Sequence, residues 1–246
     1  MVDINTINEK RDALYSLAPF SDGVKALKQR MDVVDFAYSN LRLYGSALTR
    51  EGTKSILAGC TVPGLPVFEH RLCEAHRKLL TRFDDKLDMD LEIDVVMLNE
   101  FCMLLAGTDK PPYRKGEPLL YHLDFVPVDD DRILDELTEI LAAIKRAARS
   151  GAYNDFCHKA AAVHTGVVKI YPYQGGFSEL AARAAMQYEL VRAGYFPVDI
   201  GLPESAYNTV CSAAIRKGDV TEFADLLRGA VIRKMDMLIE AIQRGI

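Results

Sequence analysis

Apolar residues recur at helical spacing along most of the chain. Ser21-Asp22 can cap a helix to about Leu43, with Val24, Leu27, Met31, Val34 and Phe36 on its apolar side, and Tyr44-Gly45 breaks it. Thr49 starts a short helix through Ile56-Leu57, closed by Gly59. After a Pro/Gly loop, Pro66 suits the first turn of a helix carrying Phe68, Leu72, Ala75, Leu79 and Leu80. The charged stretch RFDDKLDMD reads as irregular, and a helix follows from about Leu91 to Ala106.

Between Gly107 and Asp129 the period changes. Pro111-Pro112 forbid helix, and LLYHLDFVPV alternates apolar with polar residues, which predicts a short β-hairpin or flap. Helical spacing then returns: Ile133–Ala148 behind three aspartates, Asn154–Ile170, Ser178–Ala193, Pro203–Lys217, and a last helix to Arg244 opened by a capping box at Asp219–Glu222. The prediction is one all-α domain over residues 1–246 with one hairpin.

Composition narrows the function classes. The 246 residues are 49% hydrophobic and 26% charged, enough for a sizeable core. A net charge of −5 argues against a nucleic-acid face. Cys60, Cys73, Cys102, Cys157 and Cys211 are scattered, with no CxxC pair, and read as thiols of a reducing compartment with no metal site. No signal peptide or membrane-length apolar run is present, so the expectation is a cytoplasmic protein without a membrane partner.

The chemistry concentrates in His164–Arg183, HTGVVKIYPYQGGFSELAAR. An apolar helix ends at Pro172, a Gly-Gly loop follows, and Ser178 opens a second helix, so glycine amides and a helix N-terminus offer an anion seat. This segment resembles the Fic (Fido-fold) signature loop, H-P-F-x-D/E-G-N-G-R-x-x-R. The family's G-x-Y-R before a flap is echoed by Tyr113-Arg114, and Phe125 and Pro127 match the flap's end. ARAAMQYELVRAGYFP, Tyr207 and the Lys217-Gly218-Asp219 break match downstream, so the resemblance covers roughly residues 30 to 240. It implies a Fic-type helical bundle with N-terminal helices (1–60), a core (61–246), a flap near 111–128 and the signature loop at 164–183. N-L-R-L-Y-G-S-A-L-T resembles the S-x-x-x-E-G inhibitory stretch, placing Asn40 on its serine and Tyr44 on its glutamate. A self-inhibitory Glu–Arg pair is therefore not expected.

The resemblance sets this loop apart from working members, which use the loop histidine to direct a target hydroxyl at a nucleotide's α-phosphate. Tyr171 takes the histidine's place; a phenol with pKa near 10 is ionised to roughly one part in a thousand at neutral pH. The acidic magnesium ligand falls on Gly175, the asparagine on Phe177, the second glycine on Ser178 and the first arginine on Glu179. The second arginine falls on Ala182, or on Arg183 if the loop carries one extra residue.

Ordinary AMP transfer is thus not expected, and nucleotide with magnesium is the disfavoured cofactor. The favoured expectation is a degenerate Fic-fold protein whose pocket, at Tyr173, Gln174, Gly175, Gly176, Phe177, Ser178, Arg183 and Arg114, binds a small phosphorylated or zwitterionic ligand, or whose flap binds a protein as an added strand. The alternatives are an enzyme of altered chemistry using Tyr171, Glu179 and His164, or residual nucleotidyl transfer to a protein hydroxyl. Homo-oligomerisation stays open. Each residue also has a plain structural reading: Tyr171 and His164 as core residues, Gln174 and Ser178 as loop and cap groups, Glu179 as complement to a helix dipole. His70 and His76 do not share a helix face and read as no metal pair, and His122 lies in the flap.

Overall fold

A computed structural model describes residues 4–118, 120 and 123–245. The described chain forms ten α-helices, and the expected helices are all present: α2 (Asp22–Arg42), α3 (Arg50–Leu57), α4 (Val67–Asp88), α5 (Val95–Ala106), α6 (Ile133–Arg149), α7 (Phe156–Ile170), α8 (Phe177–Arg192), α9 (Glu204–Lys217) and α10 (Thr221–Gln243). Side-chain caps set several starts: Ser21, Thr49, Asp94 and Asp155 each accept the N–H three residues on. None of these helices is long and apolar enough to cross a membrane.

α7 and α8 pack against each other more extensively than any other pair, and every α8 residue from Ser178 to Leu190 is buried. α2, α4 and α5 cover α8, while α6, α9 and α10 cover α7. Phe83, Phe101 and Tyr188 interlock where α4, α5 and α8 meet, with ring centroids 5.1 to 5.9 Å apart. A helical hairpin wrapped on both sides holds the loop between its helices on a rigid base.

Two expectations change and a third is not confirmed. Among the described residues of 111–128 there is no strand, and their one β-bridge pairs Tyr113 with Tyr173 of the 171–176 loop. Prolines 111, 112, 118 and 127 cannot donate to a ladder, and Arg114 occupies the carbonyls of Gly116 and Val128. The alternation instead marks anchors, with Leu123 buried and Leu120, Phe125 and Val128 packed on the core. His122 lies outside the described residues.

RFDDKLDMD is helical up to Asp88, as the last turns of α4. Phe83 is buried, and Arg82 and Lys86 both pair with Glu100 of α5, at 2.9 and 2.7 Å, so the charges face a partner helix. Finally, α1 (Ile4–Tyr15) precedes the first expected helix. Its intrinsic pattern is weak, and packing of Ile7 and Leu14, together with a Lys10–Asp236 ion pair to α10, holds it in place.

Candidate functional site at the α7–α8 loop

Tyr171 ends α7 in the left-handed conformation, φ 51°, with its N–H donating to the Val167 carbonyl at 3.0 Å. A side chain in that region costs about 1 kcal/mol, supplied here by burial of the ring. The hydroxyl donates to Glu179 Oε1 at 3.0 Å. Burial first, and the Glu179 charge second, push the phenol far above its ordinary value. Tyr171 is a fixed hydrogen-bond donor with no capacity as a base at neutral pH.

Glu179 sits in the first turn of α8, and its Oε2 lies 3.6 Å from Arg183 Nη1, one turn on. Arg183 is almost fully buried. Its Nε donates to Asn40 Oδ1, its Nη2 to the Asn40 carbonyl at 3.4 Å, and its guanidinium lies 5.7 Å from the centre of the Tyr207 ring. Arg183 is therefore the loop-helix arginine that reaches α2. Asn40 Nδ2 meets His76 Nε2 at 2.8 Å and the Leu180 carbonyl at 3.3 Å. His76 Nδ1 lies 2.7 Å from the Leu72 carbonyl, so it carries the ring proton and Nε2 accepts. Burial, with the Arg183 charge adding to it, lowers His76 to about 4. The result is a continuous buried polar chain from Tyr171 through Glu179, Arg183 and Asn40 to His76.

His164 lies beside this chain. It bonds the Tyr207 hydroxyl through Nε2 and stacks on Phe223 at 4.8 Å. Burial and the Arg183 charge push it down to about 3, so it is neutral at physiological pH.

Gly175 and Gly176 take φ of 63° and 79°, and Gly176, not Ser178, caps α8. Ser178 stands inside the helix because its hydroxyl is used elsewhere: it accepts from the Tyr173 N–H at 2.6 Å and donates to the Tyr173 carbonyl at 2.8 Å. The turn is covered by Tyr44. A Cβ on Gly176 would lie 2.7 Å from Tyr44 Cε2, and the Tyr44 hydroxyl donates to the Gly175 carbonyl at 3.2 Å. Phe68 and Phe177 extend this aromatic cover, with centroid distances of 6.1 Å from Tyr44 to Phe68 and 6.4 Å from Phe68 to Phe177. Gln174 and Gly175 are exposed at the rim.

Arg114 is buried and bonded to four carbonyls: Tyr171 (2.7 Å), Gly116 (2.7 Å), Ile170 (3.4 Å) and Val128. It ties the end of α7 to both ends of the 116–128 segment. Tyr173 stacks on Tyr113 at 5.5 Å, and both hydroxyls donate to Asn99 Oδ1, at 2.7 and 2.8 Å. Asn99 escaped the sequence reading, although a lone amide in the apolar run VVMLNEFCMLLA was a usable signal. Tyr207 and His76 likewise belong to the site only through tertiary contacts.

Among the described residues no group of three or more His, Cys, Asp or Glu could hold a metal ion. His70 accepts from the Val62 N–H at 3.0 Å and contacts the Pro66 carbonyl at 3.1 Å, away from His76. A surface cavity of about 590 Å³ lies between the 116–128 segment and α9, bordered by Asp124, Glu204, Asn208, Ser212 and Arg216. Asp124 and Arg216 pair across it at 2.8 Å, and no residue of the 171–179 loop lines it.

Against solved structures the architecture is matched closely. A Fic domain-containing signalling protein from Bacteroides thetaiotaomicron aligns at TM-score 0.82 and 19% identity, over 97% of this chain and 98% of that one. Fic-1 from C. elegans aligns at TM-score 0.79 and 18% identity, over 98% of this chain and 73% of that one. A Fic family protein from Desulfovibrio desulfuricans aligns at TM-score 0.69 and 16% identity, over 99% and 76%. No family model and no curated protein matches the sequence. The chain has the Fic fold.

Proposed function

We propose that this is a Fic-fold protein that does not transfer nucleotidyl groups and acts by binding a small zwitterionic ligand. The observation that carries the first half is the closed state of the α7–α8 loop. Tyr44 lies on the glycine turn, where an anion would need the backbone amides, and the Tyr171–Glu179–Arg183–Asn40 chain pairs its charges internally, with Arg183 Nη1 alone in that chain lacking a hydrogen-bond partner among the described residues. Arg114, the other candidate phosphate cation, is engaged by backbone carbonyls. A nucleoside triphosphate entering the loop would meet a carboxylate at Glu179 and find no free arginine fork.

The ligand reading moves to the neighbouring cavity. Glu204 offers a carboxylate, and Arg216, though paired with Asp124, keeps further N–H donors within the same concavity, which suits a molecule with an ammonium at one end and an anion at the other. A protein partner at the 111–128 segment is a weaker reading, because the described residues there present no ladder edge for strand addition.

One observation favours a second reading, altered acid–base chemistry: Tyr171 and Glu179 are in direct hydrogen-bond contact. The raised phenol limits Tyr171 there to donating a proton, so catalysis would be lost in Tyr171→Phe.

The test has two arms. Thermal melts are run with amino acids and other zwitterions, and separately with nucleoside triphosphates plus magnesium; a specific ligand raises the melting temperature by mass action. Labelled ATP then reports transfer to the protein itself or to added protein. Stabilisation by a zwitterion that fails in Glu204→Gln, with no label incorporated, is the expected result. Incorporation of label that depends on Arg183 would sink the proposal.

A further inference from the structure

A second concavity, of about 980 Å³, runs along the outside of α3, α4 and α5, away from the Glu204 cavity. Its apolar wall includes Val67 and Phe68, 69% and 41% exposed, and the half-buried Met103 and Leu104 of α5. Large apolar side chains at that exposure, lining one continuous groove, mark a surface that gains by being covered.

The charges around it are unevenly matched. Glu74 pairs with Arg77 at 3.4 Å, and Glu100 is held by both Arg82 and Lys86. Every carboxylate of the groove therefore already has a cation. Arg71 and Lys78 also line the groove and are exposed, yet neither has an ion-pair partner among the described residues. They stand seven residues apart on α4, on one helix face, and so roughly 10 Å apart along the axis at 1.5 Å per residue. The surplus in the groove is positive, regularly spaced, and set beside apolar surface.

We propose that this groove is a docking site for an acidic amphipathic α-helix of another protein. Two carboxylates seven residues apart on such a helix repeat the Arg71–Lys78 spacing, and bulky apolar residues between them fall against Phe68, Met103 and Leu104. The apolar contact provides affinity, while the charge pairs set register and orientation. The docked helix also lies beside the aromatic cover of the loop, because Phe68 stands between Tyr44 and Phe177. The assignment is independent of the zwitterion reading, which uses the Glu204 cavity, lined by none of the residues of this groove.

The experiment is selection of a displayed library of amphipathic helical peptides against the whole protein, followed by fluorescence anisotropy with the enriched peptides. The expected winners carry two Asp or Glu residues seven apart with bulky apolar residues between. Their affinity falls at least ten-fold in Arg71→Glu and in Lys78→Glu, and weakens with added salt. A peptide with both acids changed to lysine then binds the Arg71→Glu/Lys78→Glu double variant and not the original protein. Both positions are exposed, so unchanged melting temperatures are the control for folding. An absence of enriched peptides, winners without paired acids, or binding indifferent to both substitutions would each overturn the assignment.

Discussion

Tyr44 and Gly176 touch so closely that the glycine has no room for a side chain: a Cβ there would stand 2.7 Å from the Tyr44 ring. The contact joins the end of α2 to the start of α8 and closes the turn whose glycine amides and helix N-terminus offer an anion seat in the sequence. Two residues far apart in sequence thus set the chemistry of one loop.

Gly176→Ala meets two penalties, the ring contact and a backbone φ of 79°. Together these should cost about 2–3 kcal/mol in urea unfolding. A double-mutant cycle with Tyr44→Ala separates them, since only the ring contact is relieved when Tyr44 is truncated. A cycle with no coupling would mean that Tyr44 does not rest on the turn.

Arg183→Met removes the cation from a buried chain and leaves Glu179 and Asn40 facing it. Destabilisation of about 3–5 kcal/mol is expected from chemical denaturation. Glu179→Leu combined with Arg183→Met should recover part of that loss, because an apolar pair replaces a charged one. Tyr171→Phe deletes only one hydrogen bond and should cost about 1 kcal/mol.

Acid should unfold this protein early. His76 and His164 are lowered from 6.5 to about 4 and about 3 by burial. The unfolded chain therefore binds protons first, and stability present above pH 6.5 is lost as pH falls toward those values. Each histidine contributes a slope of about 1.4 kcal/mol per pH unit within its window. Denaturation between pH 7 and 4.5 measures the effect, and His164→Phe should flatten the curve. A curve unchanged by that substitution would contradict the burial of a neutral His164.

Arg114→Met leaves the carbonyls of Ile170, Tyr171, Gly116 and Val128 without their donor. The expected loss is about 2–4 kcal/mol. Amide exchange followed by mass spectrometry should show faster exchange across residues 116–128, with α4 and α5 unchanged.

Helix-forming segments were legible wherever a periodic apolar face met a cap. Ser21 and Thr49 show this, and so does the Gly218 stop. The misread stretches share one physical cause. Arg82 and Lys86 read as solvated charges until Glu100 of another helix lies opposite, and nothing local signals that Arg114 takes the carbonyl of Val128 at the end of the alternating stretch. α1 depends on α10 in the same way.

The sequence by itself determined a mainly helical chain, the break at Pro172 to Gly176, and the residues Tyr171, Gly175 and Glu179 that the loop presents. Those are properties of local spacing and side-chain identity, which need no partner. Only the tertiary structure decided that Arg183 faces Asn40, that Tyr44 lies on the glycine turn, and that Tyr171 is held as a donor to Glu179. Each of those contacts joins groups whose ionisation and hydrogen bonding depend on burial, and burial exists only once α2, α7 and α8 have packed together.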